Sequence, residues 1–249
     1  MTDPTSQGTV GLLMTRPLPS AQRFVADLPV QVRATVDVIY APLMEIVGLP
    51  DEIASEEIKA LIFTSANGVE AAIGRVPTDL TAYCVGERTT QKAAQAGWDA
   101  KCTGKTADEL VEALIETPSS VPVLHLHGRN TRGDVAARLT AAGVQCRGQA
   151  IYDQRLLPLG TDALRAITSH RAVIVPLFSP RTAQHFADIC PDASNLHLIA
   201  LSQAVAEPLK ALNCRHLQVC SSPDATAMAS MVRDAAACLA RVEDWPRGQ

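Results

Sequence analysis

The sequence contains no long apolar run. Its longest stretches, such as Ala172 to Phe178, fall far short of the roughly 18 consecutive residues a membrane-spanning helix requires. Its opening, Met1-Thr-Asp-Pro-Thr-Ser-Gln-Gly8, has neither the basic nor the apolar region of a secretory signal, so a cytoplasmic protein with no membrane partner is expected. Positive charge is not in excess either: 22 Lys and Arg stand against 26 Asp and Glu, a net charge of −4. Without a broad positive field to follow a phosphodiester backbone, nucleic acid is not an expected partner. The seven cysteines, Cys84, Cys102, Cys146, Cys190, Cys214, Cys220 and Cys238, are odd in number, scattered and free of any C-x-x-C pair. That pattern fits a reducing compartment and packed thiols, with no metal expected. Also missing are G-x-G-x-x-G, G-x-x-x-x-G-K-[ST], G-x-S-x-G and H-E-x-x-H, which weakens nucleotide-binding and hydrolase readings.

What is present points to an α/β protein. Hydrophobic residues make up 47% and charged residues 19% of the 249 positions, a composition that supports a real core and one or two domains. Short apolar runs alternate with amphipathic stretches: Thr9 to Met14 then Ser20 to Leu28, and Ala60 to Phe63 then Ala66 to Arg75. Further strands are expected at Ala82 to Val85, Trp98 to Cys102, Val123 to Leu126, Val144 to Ile151, Ala172 to Val175, Leu196 to Ala200 and His216 to Cys220. Pro176 would forfeit a ladder hydrogen bond, so the strand before it is expected to stop near Val175. Thr106-Ala-Asp-Glu109 reads as a capping box opening a helix whose apolar face begins with Val111 and Leu114.

Sliding one half of the chain over the other exposes an internal repeat. Leu12-Leu-Met-Thr-Arg16 is similar to Leu124-His-Leu-His-Gly-Arg129, Ile62-Phe-Thr-Ser65 to Leu177-Phe-Ser179, and Tyr83-Cys-Val-Gly86 to Leu198-Ile-Ala-Leu-Ser202. Arg129 follows Arg16 by 113 residues, Ser179 follows Ser65 by 114, and Ser202 follows Gly86 by 116. Two similar lobes are the simplest reading. Two further strand-like segments, Val36 to Leu43 and Gln149 to Arg155, show no obvious helix beside them and are expected to pair with each other as a linker.

In parallel α/β sheets ligands bind beyond the carboxyl ends of the strands, where helix starts present free N–H groups. Small polar residues occupy those places here: Thr64-Ser-Ala-Asn-Gly68, Gly86-Glu-Arg-Thr-Thr90, Gly128-Arg-Asn-Thr-Arg132 and Ser179-Pro-Arg-Thr182. Ordinary helix capping accounts for any one of them. Four together, with Arg16, Arg88, Arg129, Arg132 and Arg181 nearby, suggest a polyanionic small molecule. His125 and His127 fall on one face of a strand but have no third ligand nearby, so a packed or hydrogen-bonded pair is the better reading. Tyr152, in the expected linker, is either a half-buried packing residue or a hydroxyl donor.

Taken together, Leu13-Met-Thr-Arg-Pro17, Leu61-Ile-Phe-Thr-Ser-Ala-Asn-Gly-Val69, Val85-Gly-Glu-Arg-Thr89 with Ala96-Gly97, Ala142-Gly-Val144 leading to Ile151-Tyr152, and Phe178-Ser-Pro180 resemble the uroporphyrinogen-III synthase family from Gly11 to about Val232. The resemblance implies two similar parallel-sheet, three-layer lobes joined by a two-stranded antiparallel ladder, with a cleft between them. One lobe would be residues 1–35 plus 156–249, the other 43–148, and the ladder 36–42 against 149–155. It implies a cyclising hydro-lyase that closes linear hydroxymethylbilane, with loss of water and inversion of the terminal ring, and that uses no cofactor. Tyr152 would assist departure of the hydroxyl. Arg16, Thr64, Ser65, Asn67, Gly86, Thr89, Arg129, Arg132, Ser179 and Ser202 would bind substrate. The enzyme would be a monomer whose partner is the upstream hydroxymethylbilane-producing enzyme. One departure stands out: where the family pattern has I-G-x-x-T, this chain reads Leu201-Ser-Gln-Ala-Val205, so a glycine becomes Ser202 and a cleft threonine becomes Val205. A non-catalytic two-lobed module for an anionic metabolite or tetrapyrrole is the rival reading.

Overall fold

A computed structural model describes residues 10–118, 121–131, 133–169 and 171–243. The chain divides into two units, Met1–Glu45 with Leu156–Gln249, and Ile46–Arg155. It passes from one to the other at Glu45 and back at Arg155.

The first unit is built on five parallel strands: β1 (Val10–Met14), β2 (Val36–Tyr40), β9 (Val173–Leu177), β10 (Leu196–Ala200) and β11 (His216–Val219), in the order β11-β10-β9-β1-β2. All five residues of β1 are buried, as expected for a central strand covered on both faces. Helices α1 (Leu18–Asp27), α2 (Val30–Thr35) and α10 (Ala225–Glu243) cover one face through Phe24, Val32 and Met228. On the other, α7 (Thr161–Thr168), α8 (Pro180–Ile189) and α9 (Gln203–Ala206) pack Ile167, Phe186 and Val205 against Leu13, Val175 and Leu198. Fully burying a side chain such as Phe186 contributes about 1.5–3 kcal/mol.

The second unit holds β4 (Ala60–Phe63), β5 (Thr81–Val85), β6 (Asp99–Gly104), β7 (Val123–Gly128) and β8 (Cys146–Leu156), parallel in the order β8-β7-β4-β5-β6. Outside β8 lies β3 (Met44–Gly48). One face carries α3 (Ala66–Ala72) and α4 (Glu87–Gln95) over Leu61, Phe63, Leu124 and Leu126; the other carries α5 (Ala107–Glu116) and α6 (Val135–Ala141) over Ala60, Ile62 and Val123. Helix α4 stops because Gly97 takes φ 101° and lets the Trp98 amide return to Ala93 O at 3.2 Å, a left-handed cap that glycine adopts without a Cβ penalty. The Trp98 ring then packs 5.2 Å from Phe63 and donates Nε1–H to Pro77 O. The capping box forms with a shift: Thr106 Oγ1 accepts from the Glu109 amide, while the Glu109 carboxylate accepts from Lys105 N rather than from Thr106 N.

The repeat crosses between the sheets. Copy one supplies β1 and β2 to the first sheet and β4, β5 and β6 to the second; copy two supplies β7 and β8 to the second and β9, β10 and β11 to the first. With β7 and β8 standing for β1 and β2, the two strand orders coincide.

Two expectations need correction. The segment Val36 to Pro42 does not pair with Gln149 to Arg155: Val36–Tyr40 lies parallel to β1 along its whole length. The intervening α2 makes β1-α1-α2-β2 a βαβ crossover, whose second strand must join the same sheet. Pro29 and Pro42 hide this short helix and strand in the sequence. The strand beside β8 is instead β3, with Leu49 N donating to Ile151 O and Leu157 N to Leu43 O; positions rise along one strand as they fall along the other, so the two run in opposite directions. Nor does β9 stop at Val175. Val173 donates to Asn195 O and Leu177 accepts from Leu201 N, so odd-numbered residues of β9 aim their backbone groups at β10. Pro176 therefore faces β1, where pairing has already ended at Leu12 with Ile174, and its missing N–H leaves no gap in the ladder.

Candidate active site

The carboxyl end of the second unit's sheet gathers the most chemistry. Tyr152, on β8, lies opposite Gly128 at the end of β7, just past a register shift between His127 and Gly128. Its ring lies so close to the Gly128 backbone that a Cβ there would fall 2.6 Å from Cε2 and 2.7 Å from Cζ. Glycine is required here by contact, since backbone and ring occupy the space any side chain would need. Gly68, on the first turn of α3, brings the helix close as well: a Cβ on it would be 3.0 Å from Leu126 O and 3.9 Å from Tyr152 Cε1. Packed among Phe63, Val69 and Leu126, Tyr152 is only 5% exposed.

Burial raises the phenol pKa of Tyr152 above its ordinary value, because the charged form loses hydration; hydrogen bonds from the Ser65 side chain and the Gly128 backbone oppose the rise. The group is thus held protonated, with the Ser65 side chain and the Gly128 backbone near enough to its oxygen to favour the charged form. Ser65 also caps α3, its Oγ accepting from Asn67 N at 3.2 Å. Thr64, one residue earlier, has its Oγ1 3.3 Å from His125 Nε2. Arg129 donates its amide to Tyr152 O at 2.9 Å and places Nη1 3.5 Å from Asp153 Oδ2 at an exposed position. Tyr152, Ser65, Thr64 and Arg129 are therefore brought together, with Asn67 in the first turn of α3.

The other expected residues are distributed differently. Gly86 precedes α4 at φ 75°, with open space where a Cβ would stand, so the conformation alone calls for glycine. Thr89 is buried on the inner face of α4. In the first unit, Arg16 lies with its guanidinium 4.2 Å from the Phe178 ring centroid, Ser179 caps α8 by accepting from Thr182 N, and Ser202 precedes α9 with no side-chain cap bond. Val205, which stands where the family pattern has threonine, is 2% exposed within the apolar core. Arg132 lies outside the described residues. Sequence reasoning did not single out Gly128, Gly68 or His125 as site residues; the glycines after β7 and within α3 were the available signal, and the His125 contact spans 61 positions.

A family model described as uroporphyrinogen-III synthase HemD matches residues 31–230. The chain belongs to the uroporphyrinogen-III synthase family. Among solved structures, it is similar to the uroporphyrinogen-III synthetase of Helicobacter pylori, at 16% identity and a TM-score of 0.66, with 91% of this chain and 100% of that one covered. A mutant uroporphyrinogen III synthase of Thermus thermophilus shares 12% identity at a TM-score of 0.51, covering 91% and 98% of the two chains. These likenesses establish the fold that the family shares. No curated protein matches the chain. Among the described residues, no group of three or more His, Cys, Asp or Glu side chains is placed to hold a metal, and no helix is long and apolar enough to cross a membrane.

Proposed function

We propose that this member of the uroporphyrinogen-III synthase family closes hydroxymethylbilane to uroporphyrinogen III, with loss of water and inversion of the terminal ring, and that Tyr152 is its proton donor. The family match over residues 31–230 carries the reaction assignment. The buried phenol against Gly128 and Ser65 supports the role of the tyrosine.

The chemistry asks little of a protein nucleophile. Electron-rich pyrroles expel the terminal hydroxyl, and a donor that hands it a proton makes water the leaving group. Tyr152 meets that need: burial keeps the phenol protonated, and Ser65 and the Gly128 backbone stand ready to stabilise the phenolate left behind. The azafulvene so formed is then attacked by the substituted carbon of the terminal ring to give a spiro intermediate. The older bond to that carbon breaks, the fragment recloses on the ring's unsubstituted carbon, and that carbon loses its proton, so the outcome depends on which carbon is held in reach. In the second unit, acetate and propionate carboxylates are proposed to meet the loop N–H groups after Ser65 and Gly86 and the guanidinium group of Arg129. Each helix-start contact contributes about 0.3–1 kcal/mol at an exposed terminus.

Elimination of water makes the proposed enzyme a lyase. A cytoplasmic monomer, fed by the hydroxymethylbilane-producing enzyme, is the setting we propose for it. Incubation of the purified protein with fresh hydroxymethylbilane, followed by separation of uroporphyrin isomers, tests the reading. Predominant isomer III is the expected result. Isomer I alone, the product of spontaneous closure, overturns it in favour of a binding module.

A further inference from the structure

His125 has no part in the chemistry above, yet it is a titratable side chain 2% exposed in the middle of β7. Desolvation, with His127 beside it at a ring separation of 4.8 Å, takes its pKa down to about 3, so it is a neutral imidazole under all ordinary conditions. Burying such a ring costs free energy unless its nitrogens are hydrogen-bonded, and Thr64 Oγ1 at 3.3 Å is the partner of Nε2. Thr64 precedes Ser65, whose backbone is extended at φ −156° and ψ 143°. Consecutive side chains of an extended segment point to opposite faces. Thr64 accordingly turns to His125 on one face while Ser65 turns to Tyr152 on the other.

We infer that His125 is a positioning residue for the proposed chemistry: its imidazole pins Thr64, and through the extended backbone between Thr64 and Ser65 it fixes where the Ser65 hydroxyl meets the Tyr152 phenol. The first unit supports this by contrast. The matching face of β1 carries Val10, Leu12 and Met14, all fully buried, and the residue before the Ser179 cap is Phe178. A fully apolar solution therefore exists for the same place in the fold, and only the unit holding the buried tyrosine uses a polar one.

The inference rests on the reading of Tyr152 as donor, so two readouts are needed. Steady-state turnover of hydroxymethylbilane is measured for His125→Leu, Thr64→Val, their double variant and His125→Gln. Ionisation of Tyr152 is followed by ultraviolet absorbance as the difference between each protein and the same protein carrying Tyr152→Phe. Both single variants should lose about tenfold in kcat through misplacement of the donor, with KM within about twofold. The double variant should be no slower than either single one, as for two partners in one interaction. His125→Gln, which keeps a hydrogen-bonding group toward Thr64, should recover most of the loss. The Tyr152 phenol should titrate higher in both single variants. If His125→Leu does not fold, Thr64→Val decides, since it leaves the imidazole in place. Unchanged Tyr152 ionisation, or losses that multiply in the double variant, overturns the inference. Full turnover in Tyr152→Phe overturns the donor reading instead, and the phenol titration still decides whether His125 positions the tyrosine.

Discussion

The two units share a strand order and differ in what fills its carboxyl end. In the first, Met14 is fully buried and Phe178 stacks edge-on against Phe24 at 5.2 Å, with Arg16 over the Phe178 ring. In the second, the corresponding layer holds His125 and Thr64, and Tyr152 occupies the opposite face. The helix caps diverge in the same way. Ser179 turns its hydroxyl to Thr182 within its own helix, whereas Ser65 serves both the helix and the tyrosine. At the end of β2, the counterpart of β8, stands Tyr40, 40% exposed. The two units thus share a packing pattern, while the second buries a histidine and a tyrosine, and buried polar groups cost stability wherever they are incompletely paired.

The sharpest way to break this comparison is Tyr152→Phe. Loss of the donor should lower turnover about a hundredfold or more, as removal of a general acid does, while product binding changes far less. Unchanged kinetics would place the two units on an equal footing. Next is Gly128→Ala. The new methyl meets the tyrosine ring at 2.6 Å, so stability should fall by about 1–3 kcal/mol through overpacking and turnover should fall with it, as read by urea denaturation and the isomer assay. In the first unit Gly11→Ala meets the Val173 side chain at a looser 3.2 Å and should leave turnover intact.

Acid should also distinguish the units. His125 titrates at about 3 when folded against an ordinary value of 6.5, so the unfolded chain binds the extra proton first. Stability contributed by the neutral ring is complete above pH 6.5 and is lost as pH falls toward 3, with a slope of at most about 1.4 kcal/mol per pH unit for one proton. Denaturation midpoints measured between pH 7 and pH 4 should fall more steeply for the wild type than for His125→Leu. The smallest effect separates the two caps. Ser65→Ala and Ser179→Ala should each cost about 1 kcal/mol of stability, but only Ser65→Ala should raise the Tyr152 phenol pKa further and slow turnover.

Much of the fold was legible in residues close together along the chain. Thr106 with Glu109, Gly97 before Trp98 and the serines ahead of α3 and α8 specify helix ends through partners within five positions, so their chemistry is visible in a short window. The repeat, with Arg16, Ser65 and Gly86 recurring as Arg129, Ser179 and Ser202, was visible by simple displacement. Less was legible at the site. Ser65 stood out by its place after a strand and Tyr152 by its place in the expected linker, but their roles came from family resemblance, not from any local pattern. The departure at Val205 carried a worry that the structure recasts, because both that side chain and Thr89 are buried toward the core.

The sequence by itself determined the α/β alternation, the helix caps, the turns that need glycine and the existence of two similar halves, since each depends on local backbone preference or on repetition. Family resemblance already implied that one lobe joins the start of the chain to its second half; only the tertiary structure decided that Val36–Tyr40 joins β1 and not β8, and that Pro176 falls on an unpaired stretch of its strand. It also decided that His125 meets Thr64 and that Tyr152 lies on Gly128. Those outcomes turn on strand register, and register is set by how whole hydrophobic faces fit across the sheet, a fit that no short stretch of sequence contains.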